Sequence, residues 1–140
     1  MKLYSVFEDE DEIKLVTDLY RGGDLGKRLS KYNEIFPFRD ALEITKRILA
    51  GLAHLEKLHV VHRDLKFENV VFKYPDNSYE LAIIDFGFAL KWTDYKTRPP
   101  GYGTLGYYAP EILEISQSMF NSRADVYSLG IMMYQMYEFV

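Results

Sequence analysis

The residues with the most chemistry to offer fall in two short runs, His62-Arg63-Asp64-Leu65-Lys66-Phe67-Glu68-Asn69 and Asp85-Phe86-Gly87, with Ala109-Pro110-Glu111 further along. The carboxylate of Asp85 and the amide oxygen of Asn69 are hard donors suited to magnesium. Asp64 can orient a hydroxyl group and take its proton, and the ammonium of Lys66, two residues on, can neutralise a phosphate. Moving a phosphoryl group needs such parts together: a proton acceptor, cations against the phosphates, and oxygens to hold the cations. Any one of these residues alone reads more simply as a surface ion pair or a turn cap. Their order and separations are what point to one site.

Short elements must carry these runs. Residues 3 to 7 and 13 to 17 are β-favouring and flank Glu8-Asp9-Glu10-Asp11-Glu12, which predicts a hairpin with a solvated acidic turn rather than a calcium loop. Gly22-Gly23 lets the chain turn before a short helix near residues 24 to 31. From Phe38 to His59, Leu42, Ile44, Ile48, Leu49, Leu52, Leu55 and Leu58 recur at three- and four-residue steps, the pattern of an amphipathic helix. Val60-Val61, Val70-Val71-Phe72 and Leu81-Ala82-Ile83-Ile84 read as strands, with Pro75-Asp76-Asn77-Ser78 as the turn between the last two. Both chemical runs therefore sit at strand ends. Pro99, Pro100, Gly101, Gly103 and Gly106 forbid a long regular element over residues 88 to 108 and predict an extended surface segment. Arg123 to Val140 is apolar nearly all round, which predicts a helix enclosed by the rest of a larger domain.

Composition narrows the classes. With 48% hydrophobic and 27% charged residues the chain is globular, and 140 residues suffice for a core. A net charge of -4 without a basic stripe argues against nucleic-acid binding. The apolar start, Met1 to Phe7, is too short for a signal peptide, and Val126 to Met136 is too short to span a bilayer, so no membrane partner is expected. The absence of cysteine excludes disulfides and thiolate metal sites and fits a reducing, cytoplasmic setting.

In this order the motifs resemble the catalytic core of a eukaryotic-type serine/threonine protein kinase. The resemblance implies an α+β, partial protein-kinase-like fold: a mainly helical large lobe with short β hairpins, plus the end of the small-lobe sheet. Residues 1–17 would end the small lobe, 18–23 form the hinge and 24–140 begin the large lobe. It implies ATP and Mg²⁺, and a protein substrate with a Ser/Thr acceptor. Asp64 would be the catalytic carboxylate, Lys66 would reach the transferring phosphate, and Asn69 with Asp85 would ligate magnesium. Lys66 and Thr104, the latter in Gly103-Thr104-Leu105-Gly106-Tyr107-Tyr108, match the serine/threonine pattern. Phe67 replaces the usual proline as spanning backbone.

Further positions follow from the same resemblance. Leu15-Val16-Thr17-Asp18-Leu19-Tyr20 looks like the fifth strand and hinge, with Thr17 as gatekeeper and the backbone of Asp18 and Tyr20 meeting the adenine edge. Asp24 would contact ribose or a basic peptide residue, Val71 would lie under adenine, and Glu68 would pair with an arginine upstream of the acceptor. Leu3, His62 and Phe86 match three of the four stacked side chains of the regulatory spine, anchored by Asp125; His62 is then architectural. Tyr127 stands where many kinases have Trp. Arg63 suggests an activation segment switched by phosphate, with Thr93 and Thr97 as acceptors. The 21-residue step from Asp64 to Asp85 is similar to that of calcium- or calmodulin-dependent kinases.

A complete kinase also has a glycine-rich loop, a lysine on the third strand and a helix glutamate. None precedes Leu3, and the helices that would follow, with the arginine expected to pair with Glu111, are missing. These 140 residues are therefore expected to be a fragment, inactive alone, with an exposed apolar surface for a partner to cover. A catalytically silent, pseudokinase-like binding module is the alternative. The intact Asp64, Lys66, Asn69 and Asp85 weigh against it.

Overall fold

The structure is a computed structural model that describes residues 1–32, 36–76, 78–91, 103–110 and 122–137. The chain opens with an antiparallel hairpin of β1 (Leu3–Glu8) and β2 (Ile13–Thr17). Asp9 Oδ1 accepts the Asp11 and Glu12 N–H groups at 3.0 Å, so the acidic run is a solvated turn that closes on itself. α1 (Leu25–Ser30) follows, capped by Asp24, whose carboxylate accepts the Lys27 N–H at 2.8 Å.

α2 (Phe38–Lys57) is the central helix. Its buried residues, Ala41, Ile44, Ile48 and Leu52, sit at three- and four-residue steps and pack with Leu129, Met132 and Met136 of α3 (Arg123–Tyr137). Burial of Ile44 and Ile48, 1% and 0% exposed, contributes about 1.5–3 kcal/mol each. The predicted helix end at His59 shortens by two residues. His59 takes a left-handed conformation (φ 58°) that turns the chain out of the helix.

Four short strands and a turn then carry the chemical runs. β3 (Val60–Val61) pairs antiparallel with β6 (Leu90–Lys91), and a 3₁₀ turn (Phe67–Asn69) leads into β4 (Val70–Phe72), which pairs antiparallel with β5 (Leu81–Ile83). β6 lies inside the segment expected to be irregular. A two-residue strand leaves no periodic signal. Residues 92–102 of that segment, with Thr93 and Thr97, lie outside the described residues, as does Glu111.

Arg28 fixes this hairpin to α1. Its guanidinium is buried, lies 3.4 Å over the Phe72 ring and donates to the carbonyls of Tyr74 (2.8 Å) and Ser78 (2.7 Å). Tyr79 O–H donates to Asp40 Oδ1 at 2.7 Å and ties the same hairpin to α2.

Within this chain α3 buries one face and exposes the other: Ala124, Asp125, Ser128, Leu129, Met132 and Met136 are buried, whereas Val126, Tyr127, Met133, Tyr134 and Tyr137 are exposed. Apolar residues all round the helix left its inner face unmarked in the sequence. Phe67 is more than spanning backbone. It is 9% exposed, joins the core and meets the Tyr107 ring edge-on at 6.3 Å.

Candidate functional site

The loop between β3 and the 3₁₀ turn holds Asp64 in a dense set of bonds. Thr104 O–H donates to Asp64 Oδ1 at 2.6 Å, and Lys66 Nζ lies 3.0 Å from Oδ2 while also donating to Thr104 Oγ1 at 2.9 Å. Asn69 Nδ2 donates to the Asp64 carbonyl at 2.8 Å and to Oδ2 at 3.2 Å. Burial pushes the Asp64 carboxyl up, but the bonds from Thr104, Lys66 and Asn69, with the Lys66 charge, outweigh it and hold the group below the ordinary carboxylate value. Asp64 is therefore ionised at neutral pH.

Asp125, at the start of α3, fixes the backbone of this loop. Its Oδ2 and Oδ1 accept the N–H groups of His62 and Arg63 at 2.8 and 2.9 Å. Burial raises the Asp125 carboxyl, and the two N–H bonds oppose that rise only in part. His62 Nε2 lies 2.9 Å from the Ile84 carbonyl, while Nδ1 accepts the Asp64 N–H at 3.3 Å, so a neutral ring protonated on Nε2 satisfies both. The ring meets Phe86 edge-on at 4.9 Å.

Asp85 comes to the site through sheet register. The Ile84 N–H donates to the Asn69 carbonyl at 2.9 Å, extending the β4–β5 ladder by one pair and setting Asp85 just beyond it. Asp85 is left-handed (φ 62°) and exposed, and its Oδ1 accepts the Gly87 N–H at 3.2 Å. The donor set suits magnesium: because the Asn69 amide nitrogen is committed to Asp64, its amide oxygen and the Asp85 carboxylate remain as hard ligands, and among the described residues neither is ion-paired to a Lys or Arg. Among the described residues no cluster of three or more His, Cys, Asp or Glu side chains forms a metal site.

The other expected positions line a neighbouring strip. Gly22 N–H donates to the Phe72 carbonyl at 2.8 Å and Phe72 N–H to the Gly23 carbonyl at 2.9 Å, so residues 22–24 run against β4 and Asp24 bridges Val71. Burial raises the Asp24 carboxyl, but the bonds from Lys27 lower it further, and Lys27 Nζ sits 2.8 Å from its Oδ2. Tyr20 is half-buried, and burial raises its phenol. The Asp18 carboxylate accepts bonds from the Tyr4 hydroxyl and the Lys2 N–H. Glu68 is exposed on the 3₁₀ turn. An open cavity of about 760 Å³ is lined by Asp85, Phe86 and Gly87 together with Leu3, Thr17, Gly51 and Leu55 among others. Asp64, Lys66 and Asn69 do not line it.

Two positions escaped the sequence. Ser128 O–H donates to the Tyr107 carbonyl at 2.7 Å, tying α3 to the segment that presents Thr104. Arg28 anchors the hairpin that carries Val71. An arginine in a short helix and a serine in an apolar one carry no pattern that marks them.

The family described as the protein kinase domain matches residues 1–139. The chain is 37% identical over 136 residues to calcium-dependent protein kinase 5 of Plasmodium falciparum (isolate 3D7), covering 96% of this chain and 23% of that protein. It is 34% identical over 134 residues to calcium-dependent protein kinase 5 of Plasmodium berghei (strain Anka), with the same coverage. Calcium-dependent protein kinase 4 of Plasmodium falciparum (isolate 3D7) is 35% identical over 135 residues, of which the match covers 25%. The chain thus spans about a quarter of the length of these relatives. A match over essentially every residue, joined to an Asp64 loop tied to Thr104, Asn69 and Asp125, means that the chain belongs to the protein kinase domain family.

Proposed function

We propose that these residues form the catalytic centre of an ATP-dependent kinase that phosphorylates serine or threonine in protein substrates. The observation that carries this reading is the Thr104 hydroxyl, which joins Asp64 and Lys66 at 2.6 and 2.9 Å and so sets an ionised carboxylate beside an ammonium. Residues 1–17 then end the small lobe, 18–23 form the hinge and 24–140 begin the large lobe. ATP supplies the phosphoryl group, and bound Mg²⁺, held by Asn69 and Asp85, would neutralise phosphate charge.

The chain's own residues do the rest. Asp64, depressed in pKa, orients the acceptor hydroxyl and takes its proton as the new P–O bond forms and the bond to ADP breaks. Lys66 sets positive charge against the transferring phosphate. The backbone of Asp18 and Tyr20 meets the adenine edge, Val71 lies under the ring, and Asp24 reaches the ribose once Lys27 yields. Glu68 favours a basic residue on the substrate. The resemblance of Lys66 and Thr104 to the serine/threonine pattern supports a Ser/Thr acceptor. A cytoplasmic site and a partner covering the exposed hairpin belong to the same reading. Among the described residues no helix is long and apolar enough to cross a membrane.

Transfer of labelled phosphate from ATP to basic peptides carrying Ser, Thr or Tyr, assayed with the protein as its own cells make it, tests the proposal. Asp64→Asn should lower transfer to Ser and Thr by about a hundredfold or more. Undiminished transfer in that variant overturns the assignment. Binding of Mg²⁺·ADP by the wild type without any transfer favours the silent binding module.

A further inference from the structure

The strip expected to meet a purine base is held from behind by a tyrosine that the chemistry does not use. β1 and β2 lose register at one place: Leu3 faces Thr17 and Ser5 faces Val16, which leaves Tyr4 as the extra residue of a β-bulge. A bulge bends its strand and re-aims the side chain it carries. Here the Tyr4 O–H donates to Asp18 Oδ1 at 2.7 Å. The second carboxylate oxygen accepts the Lys2 N–H at 2.7 Å, and the Asp18 N–H bonds the Lys2 carbonyl at 3.1 Å. Thr17 Oγ1 donates to the Asp18 carbonyl at 3.2 Å. The carboxylate and N–H of Asp18 are therefore tied to Tyr4 of β1 and to Lys2 just before it, while its carbonyl, with one bond from Thr17, keeps a second lone pair for a ligand.

The other end of the strip is fixed by β4, through Arg21 N–H to the Lys73 carbonyl at 3.1 Å and Gly22 N–H to the Phe72 carbonyl at 2.8 Å. Leu19 and Tyr20 span the gap between these anchors. At the Asp18 end Tyr4 supplies the side-chain anchor, and the bond from its hydroxyl is the foremost reason the Asp18 carboxyl is held below its ordinary value. Tyr4 is 57% exposed, so its ring adds little to packing. Apart from the Lys2 ammonium 5.1 Å over its ring, a contact that phenylalanine would keep, what the residue contributes is the bond.

We propose that Tyr4 is a positioning residue: through Asp18 it sets the backbone of residues 18–20 in the conformation that receives the edge of a purine base. The inference rests on the nucleotide-binding reading above. It is tested on the full chain by affinity for Mg²⁺·ADP and for Mg²⁺·tripolyphosphate, which has no base, and by amide hydrogen exchange. Tyr4→Phe should weaken Mg²⁺·ADP binding by about three- to tenfold, because the strip must be ordered on binding. It should leave tripolyphosphate binding unchanged and speed exchange at Leu19 and Tyr20 while exchange in α2 stays the same. In an Asp18→Ala background, Tyr4→Phe should add nothing to either readout. Unchanged affinity and exchange, an equal loss for tripolyphosphate, or an additive effect in that background each overturns the inference. Should the wild type bind no Mg²⁺·ADP, the kinase reading fails, and the exchange rates alone then decide the role of Tyr4: faster at Leu19 and Tyr20 supports it, unchanged refutes it.

Discussion

Replacing Thr104 by valine keeps the shape of the side chain and removes one hydroxyl, which isolates the bond that joins the loop to the Thr104 segment. A hydrogen bond to a charged partner contributes about 1.5–3 kcal/mol. Asp64 is 3% exposed, so water does not take over the lost donor, whereas the Lys66 side chain, 22% exposed, can replace its lost acceptor with solvent. The expected loss is therefore one charge-assisted bond, about 2 kcal/mol. Its pH dependence follows from the direction of the Asp64 shift. The folded carboxyl is held below its unfolded value, so its contribution is complete above the unfolded pKa of about 3.9 and is lost as pH falls through the depressed folded value. Thr104→Val narrows the gap between the two states, so wild type and variant should differ by about 2 kcal/mol at pH 7 and converge in acid. Urea unfolding over a pH series reads both quantities, with Thr104→Ser as the control that keeps the hydroxyl. A variant as stable as wild type at pH 7, or a deficit that stays constant into acid, refutes the reasoning.

Other substitutions probe the supports of the site. Asp125→Ala deprives two buried N–H groups of their acceptor and should cost about 3–5 kcal/mol in denaturant unfolding, while Asp125→Asn keeps one acceptor and should cost about half as much. Arg28→Met keeps an apolar stem against Phe72 but leaves the Tyr74 and Ser78 carbonyls without their donor; unfolding should show a loss of about 2 kcal/mol, with faster amide exchange confined to residues 73–80. Gly22→Ala drives a Cβ into the Tyr74 carbonyl, just past β4, and to 2.6 Å from Phe72 Cβ on it, and should lower stability by about 1–3 kcal/mol in the same measurement.

The elements that bury one face were legible in the sequence. Ala41, Ile44, Ile48 and Leu52 repeat at helical spacing because α2 has one wet side and one dry side, and the β1–β2 hairpin is punctuated by five acidic residues. The Asp64–Lys66–Asn69 part of the site was legible because those residues lie within six positions of one another, whereas Thr104 and Asp125 were reached only through the resemblance. What escaped was set by partners far along the chain. β6 exists because two residues, Leu90 and Lys91, meet Val61 and Val60 in register, and Tyr4 leaves register with β2 for a carboxylate 14 residues away. The inner face of α3 could not be read because Val126, Tyr127 and Met133 outside are as apolar as Leu129 and Met132 inside. Hydropathy cannot sort a helix whose exposed side lacks charge.

Backbone strain ties these long-range partners to the chemistry. Arg63 (φ 71°) and Asp85 (φ 62°) both take the left-handed conformation, which costs a non-glycine residue about 1–2 kcal/mol. One immediately precedes Asp64 and the other is the oxygen donor set beside Asn69. Arginine has no side-chain means of easing that conformation, so something outside the loop must hold it. Asp125, 62 residues away, does so by accepting the Arg63 N–H. The Thr104 segment meets the same residue from the other side: at Gly103 (φ 134°) a Cβ would stand 2.8 Å from the Arg63 carbonyl, so only glycine lets Thr104 come within reach of Asp64. A buried carboxylate on α3 and a glycine before Thr104 thus fix, from opposite sides, a backbone turn that a free loop would relax. The Asp64 carboxylate is aimed by that turn, and its ionisation is set by the threonine the glycine admits. Aim and charge therefore depend on one conformation, and relaxing Arg63 should disturb both together.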